Sequence, residues 1–135
     1  MGCNRSQDLT YPELVSAIEG ETKELERLQE SVKSMERDVE KKAMNLRELV
    51  QEGSRNEDKL LRNSSDLSSA NDRAVARKEW EKGKALWNDQ EKKVSASVKE
   101  MREHLAINKK PIEEQIEKQK ALLMDLRTRR DEARK

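Results

Sequence analysis

The feature that most restricts the fold is an apolar residue that recurs at every seventh position through the first half of the chain. The first row contains Tyr11, Ile18, Leu25, Val32, Val39, Leu46, Gly53 and Leu60. A second row, three residues later, contains Leu14, Glu21, Leu28, Met35, Lys42, Leu49 and Asn56. A mean spacing of about 3.5 residues keeps one stripe of a helix facing a partner helix. We therefore predict an all-α, elongated coiled coil.

The composition favours one apolar stripe per helix over a globular core. Charged residues make up 42% of the chain and hydrophobic residues 33%, with no Phe. Such a chain cannot supply apolar side chains to a core from several directions. Disordered chains have a similar composition, but they do not sustain a heptad repeat.

Capping signals divide the chain into segments. Thr10, Pro12 and Glu13 predict the start of a first helix at residues 10–62, after a tail at residues 1–9. Residues 63–72 are rich in Ser, Asn and Asp, whose side chains favour turns. Ser69 and Asp72 are the expected cap of a second helix at residues 73–109. Pro111 predicts a kink or short break at residues 108–111, with the helix continuing over residues 111–135.

The second helix has its own apolar rows. One contains Trp80, Trp87, Val94, Met101 and Asn108, and its companion contains Val98, Leu105 and Ile112. Beyond Pro111, Ile116, Leu123 and Leu126 continue the stripe. The four-residue step from Ile112 to Ile116 indicates a stutter, which is a local change of supercoil.

Two stripes of similar length around a polar turn favour an antiparallel two-helix hairpin. Folding about residues 66–67 sets Gly53 opposite Trp80, so that the only glycine of its row faces a large ring. The same register pairs Leu46 with Trp87, Val39 with Val94, Val32 with Met101, and Leu28 with Leu105. The alternative is a parallel homodimer in which residues 53–72 form a weak or looped stretch.

The expected interface residues all belong to these apolar rows. They are Ile18, Leu25, Leu28, Val32, Met35, Val39, Leu46, Leu49, Trp80, Trp87, Val94, Val98, Met101, Leu105 and Ile112. Trp80 and Trp87 share a helix face and would also suit a platform for a base or a peptide. Their place in the apolar row favours packing.

Residues for catalysis or metal binding are scarce. His104 is the only histidine, and Glu100 and Glu103 beside it do not complete a metal site without a second His or Cys. Cys3 has no base fixed nearby, and the chain contains no phosphate-binding glycine loop. We expect no catalytic residues, no metal and no cofactor.

Charge suggests one partner contact. The net charge of +1 provides no overall field for nucleic acid, which makes that partner unfavourable. Residues 1–62 hold fewer Lys and Arg than Asp and Glu, and residues 63–135 hold more, which suits two halves that pack together. Arg127, Arg129 and Arg130 form the densest basic cluster. It suits a microtubule, anionic lipid or RNA, or else complements the helix macrodipole.

The first six residues, Met-Gly-Cys-Asn-Arg-Ser, match an acylation pattern. Gly2 is the position for myristoylation and Cys3 for palmitoylation. One myristoyl chain binds membranes marginally, and a second acyl chain makes anchoring stable. The pattern is short, and it has no meaning if Met1 is not the native start.

These features predict a non-enzymatic scaffold or adaptor subunit of a cytoskeletal, axonemal or kinetochore-type assembly. The expected partners are other coiled-coil or filament subunits, or microtubules, and a homodimer is compatible with the pattern. The alternative function is an acylated peripheral-membrane tether that recruits partners through its coiled coil. A single cysteine and the lack of a signal peptide predict an intracellular location, cytoplasmic or cytoskeleton-associated, with membrane association if the chain is acylated.

Overall fold

A computed structural model describes residues 9–134 of the chain. These residues form two long α-helices that pack against each other, α1 (Tyr11–Ser64) and α2 (Ala70–Arg134). The described part of the chain contains no β-strand. The all-helical fold predicted from the sequence is therefore confirmed.

Both helices begin at the hydroxyl caps that the sequence predicts. At α1, the backbone N–H of Glu13 donates to Thr10 Oγ1 (3.5 Å), and Thr10 Oγ1 donates to the Glu13 carboxylate (2.9 Å). At α2, the backbone N–H of Asp72 donates to Ser69 Oγ (3.3 Å), and that of Arg73 donates to the Ser69 carbonyl (3.1 Å). These bonds satisfy N–H groups that the first turn of a helix leaves without a partner.

The connection between the helices is shorter than the predicted polar turn, because it covers residues 65–69 only. The backbone N–H of Leu67 donates to the carbonyl of Ser64 (3.1 Å), which tightens the end of α1. The guanidinium of Arg73 donates to the Leu67 carbonyl (2.6 Å). The carbonyls of Ser64 and Leu67 therefore both accept hydrogen bonds at the connection.

Helix α2 continues through Pro111. The predicted short break at residues 108–111 is therefore absent. Proline removes one backbone hydrogen bond, the one that would reach the carbonyl of Ile107. Pro111 and Ile107 are both exposed, so solvent can hydrogen-bond the carbonyl that proline leaves without a donor. The kink at Pro111 stays a prediction.

The described residues form two compact units, and each contains part of both helices. The first unit combines α1 up to Arg37 with α2 from Leu105 onward. Its core consists of the buried side chains Leu14, Ile18, Leu123 and Leu126, with Leu9, Ala17 and Leu25 packed against it.

Polar contacts also join the two helices in this unit. The Gln119 side-chain amide donates to the Glu21 carbonyl (2.9 Å) and also to the Glu21 carboxylate. The ammonium of Lys109 lies 3.8 Å from the Glu36 carboxylate. In this unit, residues later in α1 contact residues earlier in α2.

The second unit, Asp38–His104, contains the connection and has fewer buried side chains. Its buried hydrophobic residues are Ala43, Val50 and Val98. The Arg102 guanidinium donates two hydrogen bonds, of 3.2 and 3.3 Å, to the Glu40 carboxylate. Trp80 lies beside Asp58, so the order of contacts is again reversed between the two helices.

The pairing predicted around Gly53 is wrong by one heptad. Gly53 lies against the ring of Trp87, not against Trp80. A heptad repeat looks the same after a shift of seven residues, so the apolar rows alone do not distinguish these registers. The expectation that this glycine faces a tryptophan is correct, but the choice of Trp80 is wrong. The pairings predicted from the same register, such as Leu46 with Trp87 and Val32 with Met101, are wrong by the same heptad.

The buried stripe follows most of the predicted interface positions. Ile18, Leu28 and Val98 are buried. The partly buried positions are Leu25, Val32, Met35, Val39, Leu46, Trp80, Trp87, Val94, Met101, Leu105 and Ile112.

Leu49 departs from this stripe, because 62% of its surface is exposed and its neighbour Val50 is buried instead. A helix with about 3.6 residues per turn drifts relative to a strict seven-residue repeat. After Val39 the stripe follows Ala43 and Val50, one residue beyond the row that contains Leu49.

The first unit offers a stability test on adjacent residues of α2. We expect Leu123→Ala to lower the free energy of unfolding by about 2–4 kcal/mol, because Leu123 is buried in the core. Met124→Ala is the control, since Met124 is 71% exposed, and should change stability by less than about 0.5 kcal/mol. Urea unfolding followed by circular dichroism measures both. Equal effects would contradict this assignment of the core.

A candidate partner-binding groove beside Trp87

Trp87 lies very close to the backbone of α1. Its ring occupies the space that a Cβ atom on Gly53 would fill. A glycine inside a helix costs about 1 kcal/mol relative to alanine. Here the missing side chain allows a large ring to lie directly on the neighbouring helix, which determines where the ring edge points.

A polar cluster lies between this contact and the connection. The indole N–H of Trp80 donates to the Asp58 carboxylate (3.0 Å). The ammonium of Lys84 donates to Ser54 Oγ (2.6 Å) and lies 3.3 Å from the same carboxylate. Trp80 and Lys84 of α2 thereby form hydrogen bonds with Asp58 and Ser54 of α1.

These contacts change the acidity of Asp58. The hydrogen bond from Trp80, followed by that from Lys84, lowers the pKa of the Asp58 carboxyl below its ordinary value. A lowered pKa in the folded chain means that the cluster contributes its full stability above the ordinary pKa of aspartate. That contribution is lost as the pH falls through the lowered value.

On the other side of Trp87, α1 and α2 line an open groove with a volume of about 440 Å³. Its apolar lining consists of Val50, Trp87 and Val94. Its polar lining consists of Arg47, Gln51, Ser54 and Arg55 from α1 and of Asn88, Glu91 and Ser95 from α2. The groove therefore has an apolar floor between two polar edges.

The two edges of this groove carry opposite charge. Arg47 and Arg55 form the α1 edge, and neither lies within ion-pair distance of an acidic group among residues 9–134. Glu91 on the α2 edge likewise has no ion pair in the described part of the chain. Two other charged pairs in this unit do join α1 to α2, Arg102 with Glu40 and Lys84 with Asp58.

The C-terminal basic cluster does not act as three free cations. The Arg129 guanidinium lies 3.1 Å from the Asp125 carboxylate, and that of Arg130 lies 3.4 Å from the Asp131 carboxylate. Both arginines are partly buried, whereas Arg127 is exposed. Two of the three charges in this cluster therefore have an acidic group within ion-pair distance.

The other candidate residues remain apart from the groove. His104 is exposed and lies 3.6 Å from the Glu100 carboxylate. Across residues 9–134, no group of three or more His, Cys, Asp or Glu side chains is placed to hold a metal ion. Neither described helix has a stretch that is long and apolar enough to cross a membrane. Gly2 and Cys3 lie outside the described residues, so their acylation stays a prediction.

Two of the three apolar residues of the groove were predicted from the sequence, but the groove itself was not. Trp87 and Val94 belong to the predicted interface, and Val50 follows Leu49 directly. The arginines and Glu91 resemble the many other charged residues of the chain until the packing shows which of them flank an opening. The available signal was Gly53, the only glycine in its apolar row.

Comparison with protein-family models, with curated proteins and with solved structures finds no match for this chain.

Two glycines of α1 provide a matched test of the Trp87 contact. We expect Gly53→Ala to destabilise the chain by about 1–3 kcal/mol, since the new methyl group meets the ring. Gly20→Ala should stabilise it by about 0.5–1 kcal/mol, because nothing lies within 4 Å of the added Cβ and alanine favours helix. Thermal unfolding measures both changes.

The destabilisation should depend on the ring. In a Trp87→Leu background we expect Gly53→Ala to be neutral or stabilising, because the smaller side chain leaves room for the methyl group. A Gly53→Ala variant that is as stable as Gly20→Ala in the original background would refute the close contact.

Proposed function

We propose that this chain is a non-enzymatic scaffold or adaptor subunit that holds protein partners along an antiparallel two-helix coiled coil. The observation that carries this proposal is the division of each helix into two kinds of surface. One stripe of α1 packs on one stripe of α2, and most of the charged residues remain exposed. Such a pair of helices offers long helical faces to partners, which is how coiled-coil subunits assemble.

Contacts along both units support the antiparallel hairpin within this proposal. Gln119 bonds to Glu21 and Lys109 lies near Glu36 in the first unit. Arg102 bonds to Glu40 and Trp80 to Asp58 in the second. A parallel arrangement of the two helices would not reverse the order of the partners in this way.

The charges favour a protein partner over nucleic acid. The net charge is +1, and two arginines of the basic cluster lie beside Asp125 and Asp131. A surface of mixed charge selects partners by local complementarity and not by a long-range field. We propose subunits of cytoskeletal, axonemal or kinetochore-type assemblies as the partners, either other coiled coils or filaments.

Sedimentation of gently extracted native complexes tests the proposal. We expect the tagged full chain, expressed in its source cells, to sediment with a complex much larger than its 15.7 kDa mass. Met124→Ala should sediment in the same way, since it leaves the core intact. A Leu14→Ala/Leu123→Ala double variant should leave the complex, because both residues are buried between the helices.

If the original chain and Met124→Ala sediment alone under extraction conditions that preserve other filament-bound proteins, the scaffold proposal is wrong.

A further inference from the structure

We propose that the groove between Arg47, Arg55 and Glu91 is a docking site for a third helix, supplied by a partner protein, with an acidic edge. This inference rests on the proposed scaffold function and specifies the chemistry of one partner. It starts from the shape of the groove and from three charged side chains at its edges, Arg47, Arg55 and Glu91, which form no ion pair within residues 9–134.

The length of the groove matches about two turns of a helix. Its lining extends over residues 47–55 of α1 and 87–95 of α2. Eight residues of helix cover about 12 Å, or a little more than two turns. The apolar floor of Val50, Trp87 and Val94 runs along the length of the groove. A row of apolar side chains on the partner helix, spaced by three and four residues, would therefore cover it.

The edges determine which helix fits. Arg47 and Arg55 lie on one edge, about 12 Å apart along α1. Glutamates seven or eight residues apart on a partner helix would reach both guanidiniums. Glu91 on the opposite edge favours a lysine or arginine on the other flank of that helix, which gives it a defined orientation.

The free state of these residues supports a site for a separate partner. Among residues 9–134, Arg47, Arg55 and Glu91 have no ion pair, and Gln51 and Asn88 between them have no hydrogen bond. Trp87 is fixed by its contact with Gly53, so the apolar floor exists before a partner arrives. A preformed floor lowers the entropy cost of binding.

Two synthetic peptides with one helical sequence and interchanged edges test the site. Both have the same leucine row, and the acidic-edge peptide carries glutamates and lysines on the sides that the groove predicts. The second peptide exchanges these two sides and places its glutamates three or four residues apart. If this helix binds in the reverse direction, its glutamates therefore still cannot reach both Arg47 and Arg55. Fluorescence anisotropy of each labelled peptide, titrated with the full chain, gives its dissociation constant.

We expect the acidic-edge peptide to bind about tenfold more tightly, from two or three complementary contacts. Arg47→Glu/Arg55→Glu should abolish or reverse this preference. The control Lys92→Glu/Lys99→Glu makes the same change of charge on exposed residues of α2 outside the groove, and should keep the preference. If the reversal variant loses helix content, Arg47→Gln/Arg55→Gln should still reduce the preference to near one.

Three results would overturn the proposal. The first is equal affinity for the two peptides, and the second is a preference that survives Arg47→Gln/Arg55→Gln. The third is a dimer of the chain alone, seen by light scattering, that Arg47→Glu/Arg55→Glu dissociates, because a second copy would then fill the groove.

The outcome is separable from that of the scaffold proposal. A chain that prefers the acidic-edge peptide but sediments alone from cells would refute the scaffold function and leave the groove assignment intact. A chain that sediments in a large complex but shows no preference would refute the groove assignment alone.

Discussion

The burial of one narrow apolar stripe per helix underlies every other feature of this molecule. Only 33% of the residues are hydrophobic, and they recur at spacings of three and four residues. A single helix of this kind leaves its stripe in water, and the gain from burying it comes only when a second helix covers it. The core of Leu14, Ile18, Leu123 and Leu126 shows that α2 provides this cover for α1.

The two units use this stripe differently. The first unit buries four aliphatic side chains, Leu14, Ile18, Leu123 and Leu126, in one cluster. The unit that contains the connection buries less, and at Gly53 and Trp87 it combines the smallest and the largest residue. The ring fills the gap on one side and leaves a groove on the other.

Most of the secondary structure follows from short-range chemistry and was predictable. Thr10 and Ser69 satisfy N–H groups at helix starts, and this depends only on residues within one turn. The Ser and Asn content of residues 63–72 predicts the polar connection. Both helices extend into this range, so the connection is shorter than expected. The break expected at Pro111 is absent, since one lost hydrogen bond on an exposed face does not end a long helix.

The register between α1 and α2 was harder to predict, because both helices carry a seven-residue repeat. Apolar rows match equally well after a shift of one heptad, so the choice between Trp80 and Trp87 for Gly53 depends on contacts outside the rows, such as Trp80 with Asp58. The exchange of Leu49 for Val50 arises from helix geometry that accumulates over several turns. The groove depends on both effects, which explains why the sequence pattern did not reveal it.

The most direct test of the account is a cross-linking measurement on the full chain with Cys3→Ser, Glu40→Cys and Arg102→Cys. These two positions are joined by hydrogen bonds between α1 and α2. A short bis-maleimide should therefore link them within one chain, and the product should remain a monomer on a denaturing gel. The single variant Glu40→Cys should give no cross-linked dimer. Dimers from the single variant, with no internal link in the double variant, would show two parallel chains and contradict the fold-back of α2 on α1.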